Sequence, residues 1–300
     1  MRLQLLGTAA GGGVPQWNCA CPGCTGARAH PGRRRRHASL AVEVERGRCH
    51  IVNATPDIAD QIEGCDGLLP SPGSRETPLA GVILTDAELD HTLGVARLRE
   101  AEKLEIRATP AVRGTLTERL RLGEVLSPYA GLSWHDLPLS GSEPLGAGVE
   151  AGAVPISGKR PRYAAGAEGT VRAEGPGSGW VVALRLADRM SGKVVVYAPA
   201  MGVWTPELDA ALAVADCVII DGTFWDDEEP RRTGISERTA TEMGHLPIER
   251  TADRLAGLAG RVLYTHLNNT NPLIDPGAPE HRVLAELGIE VAAEGAWIEL

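Results

Sequence analysis

Short apolar runs that end in acidic or histidine residues are the main pattern along this chain. The runs at residues 82–85, 217–220 and 261–265 are followed by Asp86, Asp221 and His266. Apolar runs of this length, rich in branched side chains, predict buried β-strands. Side chains at the carboxyl ends of such strands face the crevice in which open α/β sheets hold ligands. We therefore expect the three strand ends to meet at one functional site.

Strand and helix patterns alternate along all 300 residues, and no linker is long enough to divide them. They form two similar halves, at about 1–155 and 180–300, joined by a loop-rich segment at about 140–179. This order predicts an α/β fold, an αββα sandwich in which two mixed β-sheets pack face to face with helices outside. We expect a single domain over residues 1–300, with the loop-rich segment passing over the crevice as a lid.

Four candidate metal or acid–base groups follow the first apolar run: Asp86, Glu88, Asp90 and His91. A helix is predicted from about Asp90 to Ala101, which places Asp90 at the positive end of the helix dipole. Helix capping by Asp86 or Asp90 would explain one carboxylate well, but it does not explain the imidazole that follows. We therefore favour a functional site.

Asp221, His266 and His245 are expected to complete this site. Asp221 and His266 follow strands, and His245 precedes a predicted helix whose start could bring it to a metal. Taken alone, Asp221 could be a turn residue, and His266 could be a histidine at a strand end whose hydrogen bonds are satisfied within the protein. Because three strand ends carry such groups, we predict a divalent metal bound by carboxylates and imidazoles.

Three cysteines near the N-terminus, Cys19, Cys21 and Cys24, have Cys-x-Cys and Cys-x-x-Cys spacing. This spacing lets one turn of chain hold a single ion, and thiolate-rich sites are usually closed, structural zinc sites. His30 and His37 are nearby candidates for the fourth ligand, and a residue distant in sequence is an equal alternative. The competing interpretation is three reduced, buried cysteines.

A glycine-rich loop near the N-terminus and a basic part of the loop-rich segment are two further candidate functional segments. The glycine-rich loop at 7–13 follows the first strand, but its spacing does not fit a dinucleotide-binding fingerprint and no helix pattern follows it. We expect it to bring backbone close to another group. Basic and aromatic side chains in the loop-rich segment are candidates for contact with an acidic substrate, with a solvated loop as an equal alternative: Lys159, Arg160, Arg162 and Tyr163.

The composition narrows the classes of partner. A formal net charge of −9 argues against nucleic acid or an anionic membrane as the main partner. No apolar run approaches the ~20 residues needed to span a bilayer, and a predicted strand follows Met1 without a signal-peptide pattern. We therefore expect a cytoplasmic protein whose six cysteines are metal ligands or buried thiols rather than disulfides.

Several segments together resemble a known family. They are Gly7-Thr-Ala-Ala-Gly-Gly-Gly, Pro15-Gln-Trp-Asn-Cys19-x-Cys21-x-x-Cys24, Asn53-Ala-x-Pro-Asp57-Ile, Leu84-Thr-Asp-Ala-Glu-Leu-Asp-His91, Val218-x-x-Asp221-Gly-Thr-Phe-Trp225, Met243-Gly-His245 and His266-Leu-Asn-Asn-Thr-Asn-Pro272. These segments are similar to those of the protein B family of pyrroloquinoline quinone biosynthesis, in the metallo-β-lactamase superfamily. The resemblance covers nearly the whole chain.

The resemblance implies an altered metal site. The superfamily signature is His-x-His-x-Asp-His, and here Asp86 and Glu88 stand in place of its first two histidines. Asp221 stands where the bridging carboxylate would be. The usual binuclear zinc site is therefore lost, and Asp90, His91 and His266 remain. Two histidines and a carboxylate with open positions suit Fe(II) and dioxygen chemistry.

The activity that the resemblance implies is iron-dependent hydroxylation of the tyrosine ring of a crosslinked glutamate–tyrosine intermediate derived from a small peptide. The expected cofactors are Fe(II) at the active site and a structural zinc at the cysteines, and the expected partners are dioxygen and the tyrosine-containing substrate. A homodimer is left open. Glu88 or Asp86 is expected to act as the base on the phenol, from proximity in sequence alone.

Three alternatives stay open. A metallo-hydrolase or phosphodiesterase of the same superfamily would need a binuclear site, for which Asp86 and Glu88 suit manganese better than zinc. A carrier of a quinone precursor would need no active-site metal. Residues 33–36 and 158–179 depart from the family pattern, so a paralogue with another peptide-derived substrate is the third alternative.

Overall fold

The structure is a computed structural model that describes residues 1–164 and 175–300. Residues 165–174 of the predicted loop-rich segment, and with them part of the predicted lid, lie outside the described residues. Within the described ranges, none of the helices is long and apolar enough to cross a membrane.

The strands, in chain order, are β1 (Arg2–Gly7), β2 (Ser39–Glu45), β3 (Arg48–Val52), β4 (Leu79–Ile83), β5 (Lys103–Ala108), β6 (Gly131–Asp136), β7 (Glu143–Pro144), β8 (Val149–Ser157), β9 (Val181–Asp188), β10 (Val194–Ala198), β11 (Cys217–Asp221), β12 (Arg261–Thr265), β13 (Ile289–Val291) and β14 (Trp297–Glu299). The α-helices are α1 (Pro22–Ala29), α2 (Ile58–Glu63), α3 (Leu89–Thr92), α4 (Pro110–Glu118), α5 (Leu122–Leu126), α6 (Pro206–Ala213), α7 (Glu229–Arg232), α8 (Ala240–Met243), α9 (Ile248–Ala256) and α10 (Glu280–Glu286).

Two seven-stranded mixed sheets result, with the orders β14-β1-β2-β3-β4-β5-β6 and β13-β12-β11-β10-β9-β8-β7. In the first sheet, β3 to β6 run parallel and the other pairs are antiparallel. In the second, β10 to β13 run parallel and the pairs from β7 to β10 are antiparallel. The carboxyl ends of the parallel strands therefore form one edge in each sheet, as the sequence pattern predicts.

Three hydrophobic layers confirm the predicted αββα order. The middle layer packs the facing sheets together through side chains such as Leu5, Val42, Leu184 and Tyr197. One outer layer packs α2 and α4 on the first sheet, and the other packs α6, α9 and α10 on the second. Burial on both faces explains why the central strands read as continuous apolar runs rather than as alternating ones.

The two-residue period of the strands decides which side chains reach the space between the sheets. In β11, Cys217 and Ile219 lie in the middle layer, whereas Val218 and Ile220 pack under the outer helices. Asp221 has the same parity as Ile219, so the strand directs its carboxylate inward.

The helix predicted from Asp90 to Ala101 is shorter than expected. The structure has the single turn α3 followed by a 3-10 helix at Leu93–Leu98. The backbone N–H of Gly94 donates to the Ala54 carbonyl at 2.9 Å, and a Cβ on Gly94 would lie 2.0 Å from the Thr55 carbonyl oxygen. This tertiary contact draws the chain away from regular helix geometry.

The sheets do not divide at the predicted boundary between the halves, near residue 155. Strands β7 and β8 pair with the second sheet, and β14 returns to pair with β1 of the first. Thr55 does not cap α2, because its hydroxyl bonds to the Asp57 carboxylate at 2.7 Å.

We predict that Gly94→Ala lowers the free energy of unfolding by about 1–3 kcal/mol, because its methyl group would overlap the backbone at Thr55. Gly123→Ala is the matched control, since Gly123 is half-buried in α5 and a Cβ there meets nothing within 4 Å. We expect it to stabilise the protein by about 0.5–1 kcal/mol. Urea denaturation followed by tryptophan fluorescence checks both, and equal losses in the two variants would contradict the close approach.

Candidate metal centre

Asp90, His91 and His266 come together from the two halves of the chain. The Nε2 atoms of His91 and His266 lie 3.8 and 3.5 Å from Asp90 Oδ2, and the two ring centroids are 5.3 Å apart. Both Nε2 atoms are buried and make no hydrogen bond with any described residue. Buried polar atoms normally have a partner. The three donor atoms therefore form a group that fits one metal ion.

Asp86 orients His91 from behind. Its Oδ2 atom lies 2.7 Å from His91 Nδ1 and accepts a hydrogen bond from the Thr85 hydroxyl, and its Oδ1 atom accepts one from the Glu88 backbone N–H. A carboxylate at Nδ1 fixes the ring so that Nε2 is free to bind a metal. The predicted role of Asp86 as a base does not fit this position, because the carboxylate is fully buried with both oxygens occupied.

The charges around His91 are strongly coupled. Burial lowers the pKa of His91, but the carboxylates of Asp86 and Asp90 outweigh burial and raise that pKa to about 9. Burial would raise the pKa of Asp90, yet attraction to His91 and His266 holds it far below its usual range. A divalent cation would therefore displace a proton from His91 when it binds.

His266 reaches the group through an unusual backbone conformation. It follows β12 with a φ of 59°, in the left-handed region that non-glycine residues seldom adopt. The Thr223 hydroxyl donates to Asp221 Oδ1 at 2.5 Å and lies 2.8 Å from His266 Nδ1, where it can accept that N–H. This bond leaves Nε2 directed at Asp90. Sequence reasoning missed Thr223, which the predicted strand–turn pattern does not distinguish from any turn residue.

Asp221, His245 and His266 form a second group that could hold an ion. His245 lies between α8 and α9, with its Nδ1 atom 2.7 Å from Asp221 Oδ2, and its ring stacks on that of His266 at 5.6 Å. The Asp221 carboxylate also accepts the backbone N–H groups of Met201 and Thr223. Since these atoms already satisfy one another, the first group fits a metal ion better and the second supports it.

Glu88 faces the opening of the site. Its side chain is 34% exposed and its Oε1 atom lies 3.5 Å from the ammonium of Lys159. Burial raises the pKa of Glu88, and Lys159 opposes that rise. Of the two predicted bases, Glu88 is the one that an incoming molecule can touch.

The glycine-rich loop makes the expected close approach. A Cβ on Gly11 would lie 2.9 Å from Asp90 Oδ2, so this glycine leaves room for the carboxylate. The same loop pairs with the residue after His266, since Leu267 donates to the Thr8 carbonyl and Ala10 donates to the Leu267 carbonyl. The loop therefore joins the two halves of the metal group.

Cys19, Cys21 and Cys24 bring their sulfur atoms within 4.8 Å of one another. The side-chain nitrogen of Asn269 lies 3.1, 3.3 and 3.4 Å from the three sulfurs. Half a turn of that amide would present its oxygen instead, so Asn269 can supply the fourth ligand of a zinc ion.

Neither histidine that was considered as the fourth ligand joins the cysteine group. His37 lies beside Asp57, with 3.1 Å between Nδ1 and Oδ2, and His30 is exposed. The candidate for the fourth ligand is instead Asn269, which lies three residues after His266 and far from the cysteines in sequence. Three of the four residues from 268 to 271 are asparagines, and this cluster was the feature of the sequence that could have indicated an amide ligand.

Asn53 and Asp57 are not among the donor atoms of the metal group, but they lie on the loops around it. Asn53 accepts the Thr85 backbone N–H and donates to the Thr85 hydroxyl, both at 3.0 Å, and so fixes the chain just after β4. Asp57 is engaged by His37, Thr55 and Gln61. Both residues hold the loops on which the site is built.

Comparison with known proteins places this arrangement in a family. The family model described as a beta-lactamase superfamily domain matches residues 48–267. The chain is 37% identical to coenzyme PQQ synthesis protein B of Azoarcus sp., with 100% of both chains covered, and 39% identical to that of Cupriavidus necator, with 99% of both covered. The chain belongs to the coenzyme PQQ synthesis protein B family. This confirms the resemblance and the fold that its motifs predict.

Solved structures agree with this family assignment. The crystal structure of Zn(2+)-bound PqqB from Methylobacterium extorquens has a TM-score of 0.90 and 30% identity to this family member, with 100% of both chains covered. A diphosphatase from the PhnP family has a TM-score of 0.68 at 17% identity, covering 100% of this chain and 97% of its own. That second likeness shows a shared fold.

We predict that Asp86→Asn weakens metal binding at the Asp90 group by about 10–100-fold, because the charge that orients His91 is lost. Cobalt(II) titration measures this, since visible d–d bands report nitrogen and oxygen ligands and near-ultraviolet thiolate bands report the cysteines. Asp136→Asn, in an exposed ion pair with Arg113, is the matched control. Equal affinities in the wild type and Asp86→Asn would refute the orienting role.

We predict that Asn269→Ala lowers the zinc affinity of the cysteine group by about tenfold or more, because one oxygen ligand is lost from the ion's coordination sphere. Zinc competition with a chromophoric chelator checks this. Asn268→Ala serves as the control, since the Asn268 amide bonds to Thr270 and not to the sulfurs. An affinity that survives Asn269→Ala would mean that the fourth ligand is another group.

Proposed function

We propose that this protein is an iron-dependent oxygenase that hydroxylates the tyrosine ring of a peptide-derived glutamate–tyrosine intermediate in the biosynthesis of pyrroloquinoline quinone or a related cofactor. The observation that supports this most is the convergence of Asp90, His91 and His266 with both Nε2 atoms unpartnered among the described residues. Two imidazoles and one carboxylate leave open positions on an ion, which suits non-heme Fe(II). Membership of the coenzyme PQQ synthesis protein B family supports the pathway.

The metals follow from the two donor sets. The thiolates of the cysteine group suit a structural zinc, whereas the imidazole and carboxylate set accepts either zinc or Fe(II). The relative from Methylobacterium extorquens was crystallised with zinc. When bound at the Asp90 group, Fe(II) would supply the redox chemistry with dioxygen that zinc does not.

The protein's own residues have three proposed tasks. Asp86 and Thr223 hold the rings of His91 and His266 with Nε2 toward the ion. Glu88 accepts the proton of the substrate phenol hydroxyl, because its carboxylate is at the opening and its raised pKa makes it a better base than an ordinary glutamate. We also propose that this work takes place in the cytoplasm.

A metallo-hydrolase is the second candidate. The observation that favours it is the Asp221, His245 and His266 group, which would offer ligands to a second ion. The two groups share His266, so one imidazole would have to serve both ions. We rank hydrolysis below oxygenation for that reason.

The experiment is anaerobic Fe(II) reconstitution followed by oxygen uptake with a glutamate–tyrosine crosslinked amino acid, or with free tyrosine as the simpler probe. We expect a product that carries added oxygen, formed by the wild type and abolished in His91→Ala and His266→Ala, because each variant removes one ligand. His30→Ala is the control, since His30 is exposed and outside both groups. Mass spectrometry with labelled dioxygen identifies the source of the oxygen.

The same assay tests Glu88 and the rival functions. Glu88→Gln is expected to lower turnover by about 100-fold or more with the iron content unchanged, because the base is lost while the ligands remain. Unchanged turnover in that variant removes the base role. Binding of quinone precursors without oxygen uptake would support the carrier, and cleavage of phosphodiesters with manganese would support the hydrolase.

A further inference from the structure

The chain from 157 to 164, here called the cover segment, lies against the loop that carries the metal group. Tyr163 donates its hydroxyl to the Ala87 carbonyl at 2.5 Å. At the other end, the Lys159 backbone N–H donates to the Ser157 hydroxyl at 3.1 Å, just where β8 ends. These two bonds fix the backbone on either side of Lys159.

Gly244 provides the space in which the Lys159 side chain lies. A Cβ on Gly244 would stand 2.6 Å from Lys159 Cδ and 3.5 Å from its Nζ. Gly244 ends α8 with a φ of 92°, a backbone conformation that favours glycine. Gly244 immediately precedes His245. The alkyl chain of Lys159 therefore packs beside the group that contains His245, and its ammonium lies near Glu88.

The charge of Lys159 is unusual for its surroundings. Two carboxylates of the site are partly exposed, those of Glu88 and Asp90, and two more are buried behind it, those of Asp86 and Asp221. The other two lysines of the chain lie at the opposite ends of their strands, since Lys103 begins β5 and Lys193 precedes β10. An anionic substrate would be repelled by Glu88 at the opening unless a cation stood beside it.

We propose that Lys159 binds a carboxylate of the substrate and so orients its phenol ring toward the Asp90, His91 and His266 group. This inference rests on the proposed function. The Lys159 side chain is 37% exposed and the pair of its ammonium with Glu88 is 3.5 Å long, so a carboxylate can replace Glu88 at low energetic cost. Lys159 thereby makes carboxylate-bearing phenols the preferred ligands.

The test compares two phenols that differ in a carboxylate. The wild type, loaded with zinc, is titrated by calorimetry with 3-(4-hydroxyphenyl)propanoate and with 4-ethylphenol. The preference is the ratio of the two dissociation constants. We expect Lys159→Met to reduce the preference of the wild type for the carboxylate by about tenfold, because a charge-assisted hydrogen bond is lost. Lys159→Arg keeps the charge and should retain part of the preference.

Lys193→Met is the matched control, because it removes the same charge from an exposed pair with Asp216 at the far end of the sheet. It should keep the preference of the wild type. The cobalt(II) spectrum and circular dichroism of each variant show whether the metal group and the fold are intact.

The inference is overturned if Lys159→Met keeps the preference of the wild type, or if the wild type has none. The Lys159–Glu88 pair would then be a structural contact. Because binding is measured on the zinc form without turnover, a failure of the oxygenase assay does not change this result, and the two proposals can fail separately.

Discussion

Two backbone hydrogen bonds, from Leu267 to Thr8 and from Ala10 to Leu267, connect the carboxyl ends of the two sheets. The metal group depends on this connection, because Asp90 and His91 come from one sheet and His266 from the other. A small slide between the sheets would separate the donor atoms, and a misplacement of about 1 Å is enough to disable a site of this kind. The glycine-rich loop thus fixes the relative positions of the donor atoms. Gly11 of this loop packs directly against the Asp90 carboxylate.

The cysteine group strengthens the same edge. Asn269 touches all three sulfurs and lies three residues beyond His266, so an ion held there would also hold the strand end that carries a proposed ligand. The left-handed backbone at His266 is a strained conformation, which persists only where the surroundings fix it. The two proposed metal sites are therefore mechanically linked although their chemistry differs.

The fold and the composition of the site could be predicted because both follow from local patterns. Apolar runs predicted the buried strands, and each run ended in a candidate ligand. Contacts between residues distant in sequence determine the features that local patterns did not predict. The helix after Asp90 is shorter than its sequence pattern predicts because Gly94 packs against Thr55. Strand β14 pairs with β1 of the first sheet, and a local sequence pattern does not indicate which strand is its partner. Asp86 was expected to act on the substrate, yet its neighbours Thr85 and His91 occupy it, which sequence spacing does not record.

The three proposed ligands differ in their access to solvent. Asp90 is 20% exposed, whereas the side chains of His91 and His266 are 2% and 5% exposed. An ion would therefore arrive and leave by way of the carboxylate, with the imidazoles meeting it last. Imidazole and carboxylate donors suit several divalent ions of the first transition row, so the availability of each ion would help to decide which one binds. The metal recovered with the isolated protein would then depend on the divalent ions present during its preparation.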